Sequence, residues 1–210
     1  MSAKNVITAG PYDHGPTEVH FTEAFLGPCI LEISRKLLPG KILDLGCGNG
    51  GITSVLAQLG ARVVGCDADE AGIKAAQKRL PDVKFHVLGV YDDPALLGEQ
   101  DFDLVISTEV IEHLFLPRAL PRFARAVLKP GGHLVISTPY HGYLKNLLLS
   151  LANRWDSHIT PFHDGGHIKF WSRRTLTRLL TEEGFEVTSF IGAGRIPHLW
   201  RCMILIARRK

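Results

Sequence analysis

The chain has 210 residues, enough for one domain with its own core, and its 45% apolar and 21% charged composition is that of a globular protein rather than a disordered segment. A formal net charge of +3 argues against a broad nucleic-acid footprint, and no apolar run is long enough to span a bilayer. Cys29, Cys47, Cys66 and Cys202 contain no C-x-x-C pair, so neither a zinc knuckle nor a disulfide framework is expected.

Residues 1–17 are rich in Gly and Pro and read as an irregular arm. They lack the charged and apolar regions of a signal peptide, and a cytoplasmic location is expected. Residues 18–38 carry Phe21, Phe25, Ile30, Ile33, Leu37 and Leu38 as an imperfect apolar helix face. Gly27-Pro28 is expected to split it into two short helices, and Pro39-Gly40 to end it. Residues 41–67 then read as strand, glycine turn, helix, strand. Ile42, Leu43 and Leu45 form the run of a strand buried on both faces. Gly46, Gly48, Gly50 and Gly51 break that pattern. Ile52, Val55, Leu56 and Leu59 recur at helical spacing as far as Gly60. Val63 and Val64 open a second strand, which ends at Asp67.

This is a βαβ unit with a nucleotide-type loop at its first turn. Gly46, Gly48 and Gly51 satisfy G-x-G-x-x-G, a weak signal alone. Asp67, at the end of the second strand, suits both hydroxyls of a ribose, whether in NAD or in S-adenosylmethionine. Asp44 separates the two. A pyrophosphate beside it would meet a like charge, whereas an α-ammonium would be stabilised. The pair favours S-adenosylmethionine over a dinucleotide.

Further along, 71–80 reads as a helix stopped by Pro81, and Val83, Phe85 and Val87 alternate as a third strand. An acidic turn follows at 89–94. Phe102, Leu104, Val105 and Ile106 make the fourth strand, and S-T-E-V-I-E-H (107–113) lies at its carboxyl end, where open α/β sheets bind ligands. A helix at 117–128, a tight turn at 129–132 and a fifth strand at 133–137 come next. A Leu-rich helix at 143–155 leads into a loop with His158, His163, Asp164 and His167. Ser172 caps a helix at 173–183, Gly184 stops it, and 185–191 and 203–207 form a closing hairpin.

The segment I-L-D-L-G-C-G-N-G (42–50) resembles the first motif of class I S-adenosylmethionine-dependent methyltransferases, and V-V-G-C-D (63–67) their second. D-F-D-L-V-I-S-T-E-V-I-E-H (101–113) resembles their fourth, and L-K-P-G-G-H-L-V-I-S-T-P (128–139) the turn and strand after it. The resemblance covers 40–210 and is nearest to the ubiquinone-biosynthesis O-methyltransferases and related small-molecule enzymes. It implies an α/β, Rossmann-like fold with a seven-stranded mostly parallel sheet and helices on both faces. It implies one domain: an arm or lid at 1–40, a cofactor core at 41–138, a substrate-capping insertion at 139–172 and a terminal helix and hairpin at 173–210. Asp44, Gly46 and Gly48 would hold the methionine end and Asp67 the ribose, Thr108 or Glu109 would sit by the sulfonium, and Cys47 and Ala68 join the expected cofactor-binding set. Similar enzymes commonly carry an acidic or polar residue where this chain has Gly89, so adenine would fall to Val90, Tyr91 and Asp92.

Methyl transfer needs an oriented nucleophile and removal of its proton. His113 is the candidate general base, with Glu109, Tyr140, His141 and His167 completing the candidate catalytic set. Glu109, Glu112 and His113, positions one, four and five of a helical turn, would share a face and suit Mg²⁺ or another divalent ion. Tyr140, Phe170 and Trp171 would wall a planar acceptor. Tyr12, His14 and His20 of the arm are expected near the site. The Leu-rich 143–155, whose apolar face is flanked by Lys145, Arg154 and Trp155, either packs on the domain or touches a membrane or a lipid-tailed substrate. The expected reaction is methylation of a hydroxyl on a small molecule. N- or C-methylation, and a non-catalytic S-adenosylmethionine-binding module, are the alternatives. Base methylation of nucleic acid is disfavoured, because S-T-E-V stands where an N-P-P-Y-like tetrad would.

Overall fold

A computed structural model describes residues 21–159, 161–162 and 165–210. Tyr12, His14, His20, His163 and Asp164 therefore lie outside the described residues. The chain runs α1 (Phe21–Leu37), β1 (Lys41–Leu45), α2 (Gly51–Leu56), β2 (Arg62–Asp67), α3 (Glu70–Arg79), β3 (Lys84–Val87) and β4 (Phe102–Thr108). It continues through α4 (Ala119–Val127), β5 (Leu128–Pro139), α5 (Tyr143–Leu151), α6 (Trp155–Ile159), α7 (Arg173–Glu182), β6 (Phe185–Ala193) and β7 (Cys202–Arg209). The strands form one sheet in the order β3-β2-β1-β4-β5-β7-β6, with β7 antiparallel to both its neighbours and the other pairs parallel. Strand order reverses between β1 and β4, and the crevice beyond their carboxyl ends is where such sheets take ligands.

Alternation along β1 decides the layering. Ile42 joins Leu26, Ile30 and Ile33 of α1 and Ile52 and Leu56 of α2 on one face. Leu43 and Leu45 join Leu120, Phe123 and Val127 of α4 and Leu176 and Leu180 of α7 on the other. Asp44 shares the Ile42 face and meets α2.

Three expectations need correction. The helix before β1 is continuous through Pro28 rather than split. Proline removes a backbone donor, but Leu26, Ile30 and Ile33 pack as a single stripe that holds the turns together. The turn at 129–132 is a bulge inside β5, since Leu128 pairs with Phe102 and His133 already pairs with Leu104. Lys129 ion-pairs there with Asp103, whose carboxylate also accepts the N–H groups of Gly40 (2.9 Å) and Lys41 (2.8 Å) and fastens the start of β1. The Leu-rich helix, finally, is short and faces outward. Tyr143 is 83% and Leu151 75% exposed, whereas Lys145 is the buried residue of α5, at 7%.

Candidate active site

The glycine loop after β1 lies in the crevice. Gly46 has φ +81°, and a Cβ there would run into the Val110 side chain, so glycine lets the loop lie against the turn that follows β4. The N–H groups of Gly46 and Cys47 both donate to the Cys66 carbonyl, at 2.8 and 3.0 Å, tying the loop to the end of β2. Asp67 fixes its far side: Oδ2 accepts the Gly48 N–H and Oδ1 the Asp69 N–H, each at 2.8 Å. Each oxygen keeps a further lone pair for a ligand hydroxyl. Asp44 is fully buried, and its Oδ2 accepts the Thr53 hydroxyl at 2.7 Å. A buried carboxylate under a glycine loop suits an ammonium and opposes a phosphate, so the loop fits the amino-acid end of S-adenosylmethionine. The Cys47 side chain packs with Ile73, Ala76 and Phe85, so its backbone rather than its thiol shapes the loop.

The ends of β2 and β3 meet beside it. A Cβ on Gly89 would sit 2.9 Å from that of Ala68, which gives a steric reason for the missing acidic side chain. Asp92 folds back instead, its Oδ2 accepting the Gly89 N–H at 2.7 Å. Val90 is buried, and the Tyr91 hydroxyl accepts the Leu116 N–H at 3.2 Å.

The turn after β4 departs from the expected metal set. Glu109 has φ +54°, so no helical turn starts there; a 3₁₀ turn begins only at Ile111–His113. Glu109, Glu112 and His113 consequently do not share a face. Glu109 is drawn toward β5 and β7, where its Oε1 accepts the Ser137 hydroxyl (2.6 Å) and its Oε2 the Cys202 thiol (3.1 Å). Its own N–H donates to the Ser137 carbonyl and Oγ, both at 3.2 Å, and these bonds hold the strained backbone. Among the described residues, Glu112, His113 and His167 instead bring one donor atom each within 4.8 Å of one another. Burial raises the Glu109 carboxyl above its ordinary value, opposed by the Ser137 and Cys202 bonds and the Lys145 charge. Burial and the Glu109 charge push Glu112 well above its own. Its Oε2 accepts the Thr138 hydroxyl at 3.0 Å, while Oε1 is buried without a hydrogen bond.

The 139–172 segment folds over this turn. The N–H groups of Ile168 and Lys169 both donate to the Glu112 carbonyl at 2.9 Å. The Nδ1 of His113 lies 2.7 Å from the Gly165 carbonyl, and its ring meets that of His167 edge-on with centroids 4.9 Å apart. His141 forms a second group with Trp155 (6.4 Å, rings 8° from parallel), His158 (5.3 Å) and Phe170 (4.9 Å). Tyr140 turns the other way, toward Trp200 (5.1 Å) and Phe190 (6.5 Å) under the hairpin. Trp171 is buried in the main core, so it does not join the expected aromatic wall.

Burial, with the Lys145 charge adding to it, pushes His141 down to about 4. Its folded value lies below the unfolded value of about 6.5, so the unfolded chain binds the extra proton between those limits. The stability carried by neutral His141 is complete above about pH 6.5 and is lost as pH falls toward 4. His141→Gln should therefore shallow the acid limb of a stability-against-pH curve by up to about 3 kcal/mol. Denaturant unfolding at several pH values checks this; parallel curves for the two proteins would contradict it.

Comparison with known proteins identifies the family. Residues 19–189 match the family model described as a methyltransferase domain. The chain belongs to that methyltransferase family. It is 32% identical over 168 residues to the human mitochondrial ubiquinone biosynthesis O-methyltransferase, covering 75% of this chain and 44% of that one. It is 39% identical over 163 residues to the Cereibacter sphaeroides ubiquinone biosynthesis O-methyltransferase, covering 76% and 66%. A probable S-adenosylmethionine-dependent methyltransferase of Mycolicibacterium smegmatis is 30% identical over 160 residues, and the chain spans 57% of its length. The chain thus spans about half the length of some curated relatives it matches. Among solved structures, a Pyrococcus horikoshii protein superposes with TM-score 0.70 at 22% identity over 97% of both chains. The magnesium protoporphyrin IX methyltransferase from Synechocystis, with bound S-adenosylhomocysteine, gives 0.64 at 21% identity over 93% and 90%. These likenesses establish the class I methyltransferase fold.

Within this methyltransferase domain the sequence reading overlooked Ser137 and Cys202, and it named Trp155 and Lys145 only as flanks of the apolar face of 143–155. Ser137 and Cys202 hold Glu109, Trp155 faces His141, and Lys145 reaches the same corner. Lys145 stood out in the sequence as the one charge inside Y-L-K-N-L-L-L-S-L.

Proposed function

We propose that the chain transfers the methyl group of S-adenosylmethionine to a hydroxyl of a planar small-molecule acceptor, with His113 as the base. The bond from His113 Nδ1 to the Gly165 carbonyl carries this reading. A carbonyl only accepts, so Nδ1 holds the proton and a neutral ring keeps its basic lone pair on Nε2. When bound, S-adenosylmethionine supplies the methyl group as an electrophile on a sulfonium. Asp44 and the Gly46–Gly48 backbone would orient its amino-acid end and Asp67 its ribose, while the 165–169 segment is hydrogen-bonded to the His113 turn. The names of the human and Cereibacter relatives support oxygen as the accepting atom. The test is S-adenosylhomocysteine formation with catechols and hydroquinones against anilines. Product with hydroxyl acceptors is expected. Product with amines alone would make the chain an N-methyltransferase, and cofactor binding without product from any acceptor would make it a binding module.

The orphaned Glu112 Oε1 favours a second reading of that corner. One carboxylate and two imidazoles, from Glu112, His113 and His167, fit a divalent cation that would acidify an acceptor hydroxyl. His113 would then be a ligand rather than a base. EDTA separates the two readings: turnover that survives it, in protein that carries no metal, excludes the ion.

The outward face of α5 supports peripheral attachment to an anionic bilayer. Tyr143, Leu144, Leu147, Leu148 and Leu151 are exposed, as is Phe162, and Arg154 lies just beyond the helix. No described helix is long and apolar enough to cross a membrane. The protein should co-sediment with phosphatidylglycerol vesicles and Leu147→Glu/Leu151→Glu should not. Wild-type protein left in the supernatant would end this reading.

A further inference from the structure

We infer that Lys145 is the anion-binding residue of the acceptor pocket, so that this site selects planar acceptors bearing an acidic oxygen, a carboxylate or an ionised hydroxyl. The inference rests on the acceptor entering the cleft between the glycine loop and the 139–172 segment.

The placement of Lys145 carries it. A helix that docked through its apolar face would bury leucines and leave its lysine in water. Helix α5 does the reverse: Leu144, Leu147, Leu148 and Leu151 are exposed, and the lysine is 7% exposed. Burying an ammonium costs free energy unless a partner compensates it. The hydrogen bond of Lys145 Nζ is a long one, 3.5 Å to the Arg201 carbonyl, and that carbonyl already accepts the Tyr140 N–H at 2.9 Å. No described carboxylate forms a salt bridge with it. Glu109 acts on it only at longer range and already accepts bonds from Ser137 and Cys202. Burial lowers the Lys145 ammonium below its ordinary value, and Arg195 and Arg201 lower it further against the opposing pull of Cys202 and Glu109. Burial and the Lys145 charge likewise lower the His141 and His158 imidazoles below their ordinary value.

The position is next to the chemistry. Val110 touches the cofactor loop at Gly46, and Glu109 precedes it in the chain. Lys145 lies within electrostatic reach of Glu109 and Cys202 and of His141 and His158. Beside His141 stand Trp155 and Phe170, flat surfaces for a conjugated ring. An anionic oxygen at Lys145 would supply the missing partner through a charge-assisted hydrogen bond.

The test measures binding to the full chain saturated with S-adenosylhomocysteine, using matched probes that differ in charge. 2-Naphthoate is compared with 2-naphthamide, and 4-nitrophenolate, above its own pKa, with 4-nitroanisole. At least one anion should bind about tenfold or more tightly than its neutral partner. The pair that shows the preference identifies carboxylate or phenolate as the recognised group. Lys145→Met, which keeps the buried stem, should abolish the preference, and Lys145→Arg should retain part of it. Equal affinity for anion and neutral partner in both pairs overturns the inference, as does failure of both anions to bind, or a preference that survives in Lys145→Met. S-Adenosylhomocysteine should raise the melting temperature of Lys145→Met as it does that of the wild type, which keeps a lost preference from being mistaken for a lost fold. Turnover of neutral hydroxyl acceptors without any anion preference would sink the inference and leave the O-methylation proposal standing.

Discussion

Replacing Asp67 with alanine is expected to weaken S-adenosylhomocysteine binding by about a hundredfold or more. The carboxylate ends β2 and accepts the Gly48 and Asp69 N–H groups, both at 2.8 Å, so it shapes the loop before any ligand arrives. Bonds to a charged acceptor contribute roughly 1.5–3 kcal/mol each. Losing the contacts to ribose, together with the anchor of Gly48, removes at least the ~2.7 kcal/mol that corresponds to a hundredfold change. Asp67→Asn should fall between the two proteins. Its amide oxygen can still accept one backbone N–H, but its NH₂ group faces the other donor, Gly48 or Asp69. Calorimetric titration with S-adenosylhomocysteine decides this. Undiminished affinity in Asp67→Ala would remove the carboxylate from the site, and an affinity loss shared equally by Asp67→Asn would show that charge, not loop shape, dominates.

The same residue shows why the cofactor half was legible in the sequence. Strand, glycine loop, helix and strand are all local in the chain, and the alternation Ile42, Leu43, Asp44, Leu45 states which face each side chain takes. Gly46 and Asp67 find their hydrogen-bond partners, Cys66 and Gly48, within a span of some twenty residues across a parallel strand pair whose register follows from it. The acceptor half was less legible because it is assembled from distant segments. Glu109 was expected to start a helical turn, but Ser137 and Cys202, 28 and 93 residues away, pull it into a left-handed backbone instead. No local pattern reports a bond of that length. His167 enters the Glu112–His113 corner because the 165–169 backbone bonds to the 3₁₀ turn, again across more than fifty residues. The orientation of α5 was left open for a different reason. Hydrophobic periodicity indicates that a helix has two faces, yet it does not say which one the protein turns inward. Pro28 was read by its local rule, and tertiary packing of α1 overrode that rule.

His113→Gln should lower the turnover number by about 100- to 10,000-fold while leaving S-adenosylmethionine affinity near its original value. The ring sits on the 3₁₀ turn beyond β4, and the bonds from Nδ1 to Gly165 and from the 168–169 backbone to Glu112 orient it. The bonds from Thr53 to Asp44 and from Gly48 to Asp67 do not involve it, which is why binding and turnover should separate. Glutamine keeps a side-chain amide that can still donate to the Gly165 carbonyl, so a collapse of the 165–169 segment is not the expected cause of the loss. The acceptor's own acidity supplies the diagnostic readout. If His113 removes the proton, the deficit should shrink as acceptors of lower pKa are used, because a phenol already ionised needs no base. A deficit constant across such a series would mean that His113 only positions the turn. A deficit reproduced by EDTA in the wild-type protein would instead make His113 a metal ligand beside Glu112 and His167. Full activity in His113→Gln would leave proton removal to solvent, a feasible route for an acceptor whose hydroxyl is largely ionised at neutral pH, and would shift the burden of selection onto the residues that recognise that charge.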